Sequence, residues 1–173
     1  MKNIDDVCVI VQARLSSQRC PRKMIKPFAG TTLTDICLEK LLASSVIPKE
    51  NIILSVYEPE LKDIGKKHGI TIFDRSKKSA FWDGGEGSHI KDMYEWWDKI
   101  PFKYTVFVNA CAPMLRTETV DNFFTSYIKS SSDGMFAVLP KKNYFWNESG
   151  KMINKWPDGE PCMNTKTVEA TYE

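Results

Sequence analysis

Residues 7–13 read VCVIVQA, a nearly continuous apolar run that breaks at once into charge. A strand with one wet face alternates apolar and polar residues. An unbroken run marks a strand covered on both faces, as in a parallel sheet flanked by helices. Residues 52–56 (IILSV), 70–73, 104–109 (YTVFVN) and 135–139 read as further strands. Helices fall between them. Thr31 or Thr32 can cap a helix whose apolar face is Leu33, Ile36, Cys37 and Leu41, spaced by three and four. Pro59 opens a second helix that closes at His68, with Gly69 in the usual C-terminal capping position. Residues 89–99 and 118–129 carry two more. Residues 74–88, with Gly84, Gly85 and Gly87, read as a loop. The alternation through the first 140 residues predicts βαβ crossovers, a mostly parallel sheet and a three-layer α/β/α fold.

No repeat or Pro/Gly-rich linker divides the 173 residues, so one domain spanning 1–173 is expected, with residues 143–154 inserted as a hairpin turned at 147–150. Basic and acidic residues nearly balance, 24 against 22, and the isoelectric point is about 8.2. That balance argues against a nucleic-acid partner, which calls for a strongly basic face. No apolar stretch approaches the roughly 20 residues needed to span a bilayer, and the acidic start is unlike a signal peptide. The five cysteines are scattered without a C-x-x-C pair. This argues against a disulfide framework or a cysteine-built zinc site and makes a reducing cytoplasm the expected compartment.

The chemistry concentrates after the first strand. Ala13 to Lys23 (ARLSSQRCPRK) places Arg14, Arg19, Arg22 and Lys23 within ten residues, with Ser16, Ser17 and Gln18 as short hydrogen-bonding groups. In a parallel sheet, ligands sit beyond the carboxyl ends of the strands, and clustered guanidinium and ammonium groups suit a triphosphate. Neither a G-x-G-x-x-G turn nor a P-loop is present, and no glycine occurs before Gly30. Side chains must therefore carry the phosphate work. The plainer alternative is a solvated basic connection.

The stretch VIVQARLSSQRCPRKMIKPFAGTTL resembles the opening of the acylneuraminate cytidylyltransferases (CMP-sialic acid synthetases), whose pattern runs A-R-x-x-S-x-x-x-P-x-K, then a Pro and a Gly before a helix. Ala13, Arg14, Ser17, Pro21, Lys23, Pro27 and Gly30 match. Arg19 is closer to the 3-deoxy-manno-octulosonate and spore-coat polysaccharide branches. A second segment, VFVNACAPMLRTETVDNFF, is similar to the family's L-Q-P-T-S-P-L-R-T, with Asn109, Pro113, Leu115, Arg116 and Thr117 matching.

The resemblance implies a Rossmann-like nucleotidyltransferase domain that transfers CMP from CTP to an acidic sugar for surface polysaccharide synthesis. Pyrophosphate would leave and Mg2+ would assist. It implies catalytic roles for Arg19 and Lys23. Arg14, Ser16, Ser17, Gln18 and Arg22 would bind the nucleotide, with Asn109 and Arg116 near nucleotide or sugar. By the same likeness Ser88 would lie near the sugar. Asn143 and Tyr144 are a separate reading from the residues, since an amide beside exposed aromatics suits sugar recognition, with a second small hydrophobic cluster as the plainer alternative. Three departures stand out. Gln18 occupies a position that many members fill with lysine. Ala110-Cys111-Ala112 stands where the family has P-T-S. The aspartates that bind metal late in the family pattern would fall after Glu173, so the C-terminal part is expected to be truncated and the metal ligands are unknown. A truncated edge strand would leave unpaired backbone groups, which favours self-association as a homodimer. Two rival readings are a nucleotide-binding fragment without turnover and a Rossmann-like domain for another phosphorylated ligand.

Other candidates read as structural. Asp83 and Glu86 fit no calcium loop, and His68 and His89 have no serine or cysteine partner for a hydrolytic triad. Cys20 lies among positive charges, but the implied reaction needs no covalent nucleophile. Cys8 and Cys37 read as core, and Trp96 and Trp97 as packing residues.

Overall fold

The computed structural model describes residues 1–82, 89–155, 159 and 168–172. The chain divides into two compact units, Met1–Ser132 and Asp133–Glu173.

Four strands form the sheet of the first unit: β1 (Val7–Gln12), β2 (Ile52–Val56), β3 (Thr71–Asp74) and β4 (Tyr104–Val108). They are all parallel, in the order β3-β2-β1-β4. The apolar runs behave as parallel-sheet physics requires, because every residue of 7–11 and 52–56 is buried. Val11, Leu54 and Val108 share a register row, and so do Ile10, Ile53 and Phe107. Alternate rows face opposite layers.

One layer is α-helical: α1 (Leu33–Leu42) packs beside both α2 (Pro59–His68) and α5 (Thr117–Lys129). Gly65 of α2 sits so close to Leu54 and Ile72 that an added Cβ would lie 2.9 Å from Leu54 Cδ2, which places α2 on the Val11–Leu54 face. On the other face Cys8, Ile10, Ile53 and Trp96 form a buried cluster, joined by Phe73, Tyr94, Ile100 and Phe102. Both faces are covered, as the three-layer reading requires. Asn51, buried, closes the lower edge by donating from Nδ2 to Ile4 O at 3.0 Å and Val7 O at 2.9 Å.

Local signals explain the helix ends. Thr32 caps α1 by accepting from the Asp35 amide, and Pro59 opens α2. Gly69 ends α2 in the left-handed region at φ 64°, where a β-carbon is costly. Three expectations need correction. The loop expected over 74–88 contains a single helical turn, α3 (Lys77–Ala80), capped by the Ser76 hydroxyl. The helix expected over 89–99 stops after α4 (Ile90–Met93). Its backbone breaks at Tyr94, and the turns that follow carry Trp96 into the core, where its Nε1–H donates to Gln12 Oε1 at 2.8 Å. Trp97, expected to pack, is 72% exposed.

The second unit holds β5 (Pro140–Lys141), paired antiparallel with β6 (Thr171–Tyr172). Residues 145–153 fold back as a hairpin, in which Trp146 bridges Met152 and Gly150 turns at φ 77°. The strand expected at 135–139 does not form. Phe136 and Leu139 are largely exposed, and strand propensity is weak without a bonded neighbour, of which the described residues offer none. No helix among the described residues is long and apolar enough to cross a membrane.

Candidate active site

The strand order sets where a ligand belongs. From β1 the chain adds β2 and then β3 on one side, and it returns to place β4 on the other side of β1. The order reverses between β1 and β4, and the crevice beyond the carboxyl ends at such a switch point is the usual ligand site of open α/β sheets. Two segments leave that point: residues 13–32 after β1 and residues 109–116 after β4.

The first segment is anchored from within and charged outside. Leu15 and Met24 are buried while Arg14, Gln18, Arg19 and Arg22 are exposed. The loop closes on itself where Arg22 N–H donates to Leu15 O at 3.1 Å, with Arg22 in the left-handed region at φ 55°. Residues 28–31 make a tight turn in which Phe28 and Thr31 exchange both backbone bonds and Ala29 and Gly30 have φ of 49° and 79°. Two positive φ values in succession require a residue such as Gly30.

The basic side chains divide into held and free. Arg14 donates to Trp82 O at 2.5 Å and Ala80 O at 3.3 Å, and Ser16 Oγ donates to Ala80 O at 3.4 Å. Both are thereby turned toward the end of α3. Arg22 pairs with Glu60 at 2.9 Å on the surface. Among the described residues, the side chains of Ser17, Gln18, Arg19 and Lys23 make no hydrogen bond or ion pair, so one guanidinium and one ammonium are open to an anion. In the second segment, Asn109 Oδ1 accepts from the Cys111 amide at 2.9 Å, and its Nδ2 has no partner among the described residues. Lys40 of α1 holds the segment by donating to Ala112 O at 2.9 Å. Arg116 stands at the N-cap position of α5 without a side-chain capping bond; its side chain is 80% exposed and lies 3.9 Å from Glu118. Asn143 and Tyr144 lie in the second unit, at the start of its hairpin. Ser88, Asp83 and Glu86 lie outside the described residues.

Two buried charges were not singled out from the sequence. Glu58 follows β2, and its Oε1 accepts from the Leu15 amide at 2.8 Å. Arg75 follows β3, is 3% exposed, and donates to Ser79 Oγ at 3.1 Å, Ser79 O at 2.6 Å and Ala13 O at 3.4 Å. Burial, and then the neighbouring Arg14 charge, push the Arg75 guanidinium down to about 10, while Glu58 and Glu95 act the other way. The available signal was positional, since each is a charged residue within two of a strand's carboxyl end. Gln12, the one polar residue in VCVIVQ, was a similar clue: it ties β1 to Trp96 and, through Nε2, to Met93 O at 3.2 Å.

A resident magnesium would need one or two carboxylates beside phosphate and water oxygens. Residues 13–31 and 109–116 contain no aspartate or glutamate. Among the described residues, Asp35, Glu39 and His68 bring ligand atoms within 4.8 Å of one another. That cluster joins α1 to α2, and its Asp35 Oδ1 is already held by Lys67 at 3.0 Å and His68 at 2.8 Å. An ammonium in that position opposes a cation. These residues do not fit a resident metal.

The comparisons with known proteins agree with this geometry. The cytidylyltransferase family model matches residues 8–155. The spore coat polysaccharide biosynthesis protein SpsF of Bacillus subtilis is 30% identical over 69 residues, which cover 39% of this chain and 29% of that protein. A cytidylyltransferase structure from Leptospira borgpetersenii is similar with a TM-score of 0.58 at 22% identity, covering 78% of this chain and 53% of that one. CMP:2-keto-3-deoxy-manno-octonic acid synthetase, solved with CTP, is similar with a TM-score of 0.56 at 16% identity, covering 70% and 46%. At these identities the structures speak for the fold. The chain spans about half the length of these solved relatives, or less.

Proposed function

The chain belongs to the cytidylyltransferase family, and on that footing we propose that it binds CTP at the β1/β4 switch point and transfers CMP to the hydroxyl of an acidic sugar. The observation that carries this reading is the glycine-free basic loop at that point, with Arg19 and Lys23 exposed or half-exposed and uncommitted. In that reading the two side chains bind the triphosphate and offset charge on the departing pyrophosphate, an electrostatic role needing no covalent intermediate. Ser17 and Gln18 add hydrogen bonds, and Asn109 offers its amide from the neighbouring strand end. Arg14, Ser16 and Arg22 shape the loop through the backbone and surface partners they already hold, and Arg116 lies at the outer margin. The acidic-sugar assignment draws on the likeness to a spore coat polysaccharide biosynthesis protein and to a synthetase for the CMP-activated form of an acidic sugar. Ser88, Asn143 and Tyr144 are proposed as sugar contacts, and a homodimer in the cytoplasm as the working form.

The test is product formation. Incubation with CTP, magnesium and an acidic sugar (a sialic acid or an octulosonate) is expected to yield CMP-sugar and pyrophosphate in equal amounts. Pyrophosphate release without sugar, or equal turnover of UTP, would remove the assignment.

A further inference from the structure

Resting on the nucleotide reading above, we propose that Glu58 is a positioning residue, whose buried carboxylate holds the Leu15 amide and thereby presents the basic loop to the triphosphate. Glu58 sits at the N-cap of α2, where a short polar side chain ordinarily accepts from an amide of the first helical turn. It makes no such bond. Its Oε1 instead accepts from Leu15 N–H at 2.8 Å, 43 residues away in the chain. Its Oε2 is buried with no partner among the described residues. Burying a carboxylate is costly unless charge and hydrogen bonds offset it. Here the offsets are the positive end of α2, Arg75 and the Leu15 amide.

The arrangement grips the loop from two sides. Arg75 donates to Ala13 O and Glu58 accepts from Leu15 N–H, so the peptide groups flanking Arg14 are fixed by opposite buried charges. The hold then passes to the far end, because Leu15 O accepts from Arg22 N–H at 3.1 Å. Residues 15 to 22 form a closed loop, and Arg19 lies at its exposed turn. The Arg22 side chain reaches Glu60 on the same helix as Glu58, which ties the loop to α2 a second time. Releasing Glu58 frees the Leu15 peptide and, with it, the closure that sets Arg19 and Lys23 in place.

Three variants test this on the whole chain. Glu58→Gln keeps an acceptor oxygen for Leu15 N–H and is expected to retain CTP affinity within about threefold. Glu58→Leu removes the acceptor. Glu58→Asp keeps charge and a favourable helix cap but withdraws the carboxylate by one methylene. Glu58→Leu and Glu58→Asp are each expected to weaken CTP binding about tenfold or more, the scale of a hydrogen bond to a charged acceptor. Amide hydrogen exchange at Leu15 and Arg22 supplies a readout that needs no nucleotide, and it should accelerate in the same two variants and not in Glu58→Gln. A purely structural role would lower the unfolding temperature while leaving the affinity of the folded protein intact. If Glu58→Leu fails to fold, Glu58→Asp decides. Unchanged exchange at Leu15 in Glu58→Asp, or CTP affinity equal to that of the parent, overturns the proposal. If the parent chain itself binds no CTP, the nucleotide reading fails and the proposal with it, and the exchange data then report only whether Glu58 holds the loop.

Discussion

Asp35 offers the sharpest stability test, because one carboxylate joins the start of α1 to the end of α2. Its Oδ1 meets Lys67 Nζ at 3.0 Å and His68 Nε2 at 2.8 Å, and its Oδ2 accepts from Thr32 Oγ1 at 2.6 Å. The Asp35 and His68 side chains are buried, so solvent screens their contact little, whereas Lys67 is largely exposed and contributes less. Burial alone would raise its pKa. The bonds from Thr32, His68 and Lys67 outweigh that and lower it from the ordinary 3.8 to about 2. At roughly 1.4 kcal/mol per pH unit, the fall corresponds to about 2 kcal/mol of stability at neutral pH. The sign follows from linkage. A carboxylate whose folded-state pKa is depressed stabilises the fold above its unfolded pKa, and that contribution fades as pH drops from about 5 toward 2. Asp35→Asn is therefore expected to lower the unfolding free energy by about 2 kcal/mol at pH 7, with the gap narrowing steadily in acid. Urea unfolding of parent and variant at stepped pH reads the difference directly and cancels the titration of the other carboxylates. A gap that stays constant from pH 7 to pH 3, or no gap at pH 7, would show that the Asp35 carboxylate does not hold the two helix ends together.

Two substitutions address the packing beneath the site. Gly65→Ala gains about 1 kcal/mol of helix propensity, but its Cβ would meet Leu54 Cδ2 at 2.9 Å and Ile72 Cγ1 at 3.1 Å. Leu54 is wholly buried, so it can shift only by disturbing the core around it; overpacking of about 1–3 kcal/mol should win and thermal unfolding should show a lower midpoint. Asn51→Leu removes the donor to Ile4 O and Val7 O, and the stranded carbonyls should cost about 2 kcal/mol by chemical denaturation. A midpoint unchanged in either variant would contradict the packing described for it.

The sheet was legible because burial on two faces imposes its own spelling. VCVIVQ and IILSV are apolar throughout, and a strand able to read that way must sit centrally in a parallel sheet. Pro59 and Gly69 punctuate α2 for backbone reasons that hold in any context. The failures share a cause in tertiary contact. Residues 94–99 have helical composition, yet a core place for Trp96 and its bond to Gln12 broke the helix at Tyr94. Residues 135–139 have strand composition but no bonded neighbour among the described residues. Within the site, the sequence marked the charged loop through the density of arginines. Spacing could not mark Glu58 or Arg75, because the loop groups they hold, Leu15 N–H and Ala13 O, lie 43 and 62 residues away. Nor could it tell which arginines would be spent on backbone carbonyls, as Arg14 is, and which left free, as Arg19 is.

The proposed CTP site is built on Arg19 and Lys23 at the β1/β4 switch point. Calorimetric titration of the chain with CTP, UTP, GTP and ATP, each with magnesium, tests it most directly. CTP is expected to bind in preference to the other three. Saturation at 100 times the dissociation constant should add about 2.7 kcal/mol to stability, and the Arg19→Ala/Lys23→Ala double variant should lose the binding while keeping its fold. Equal affinity for all four nucleotides, or CTP binding undiminished in the double variant, would contradict it.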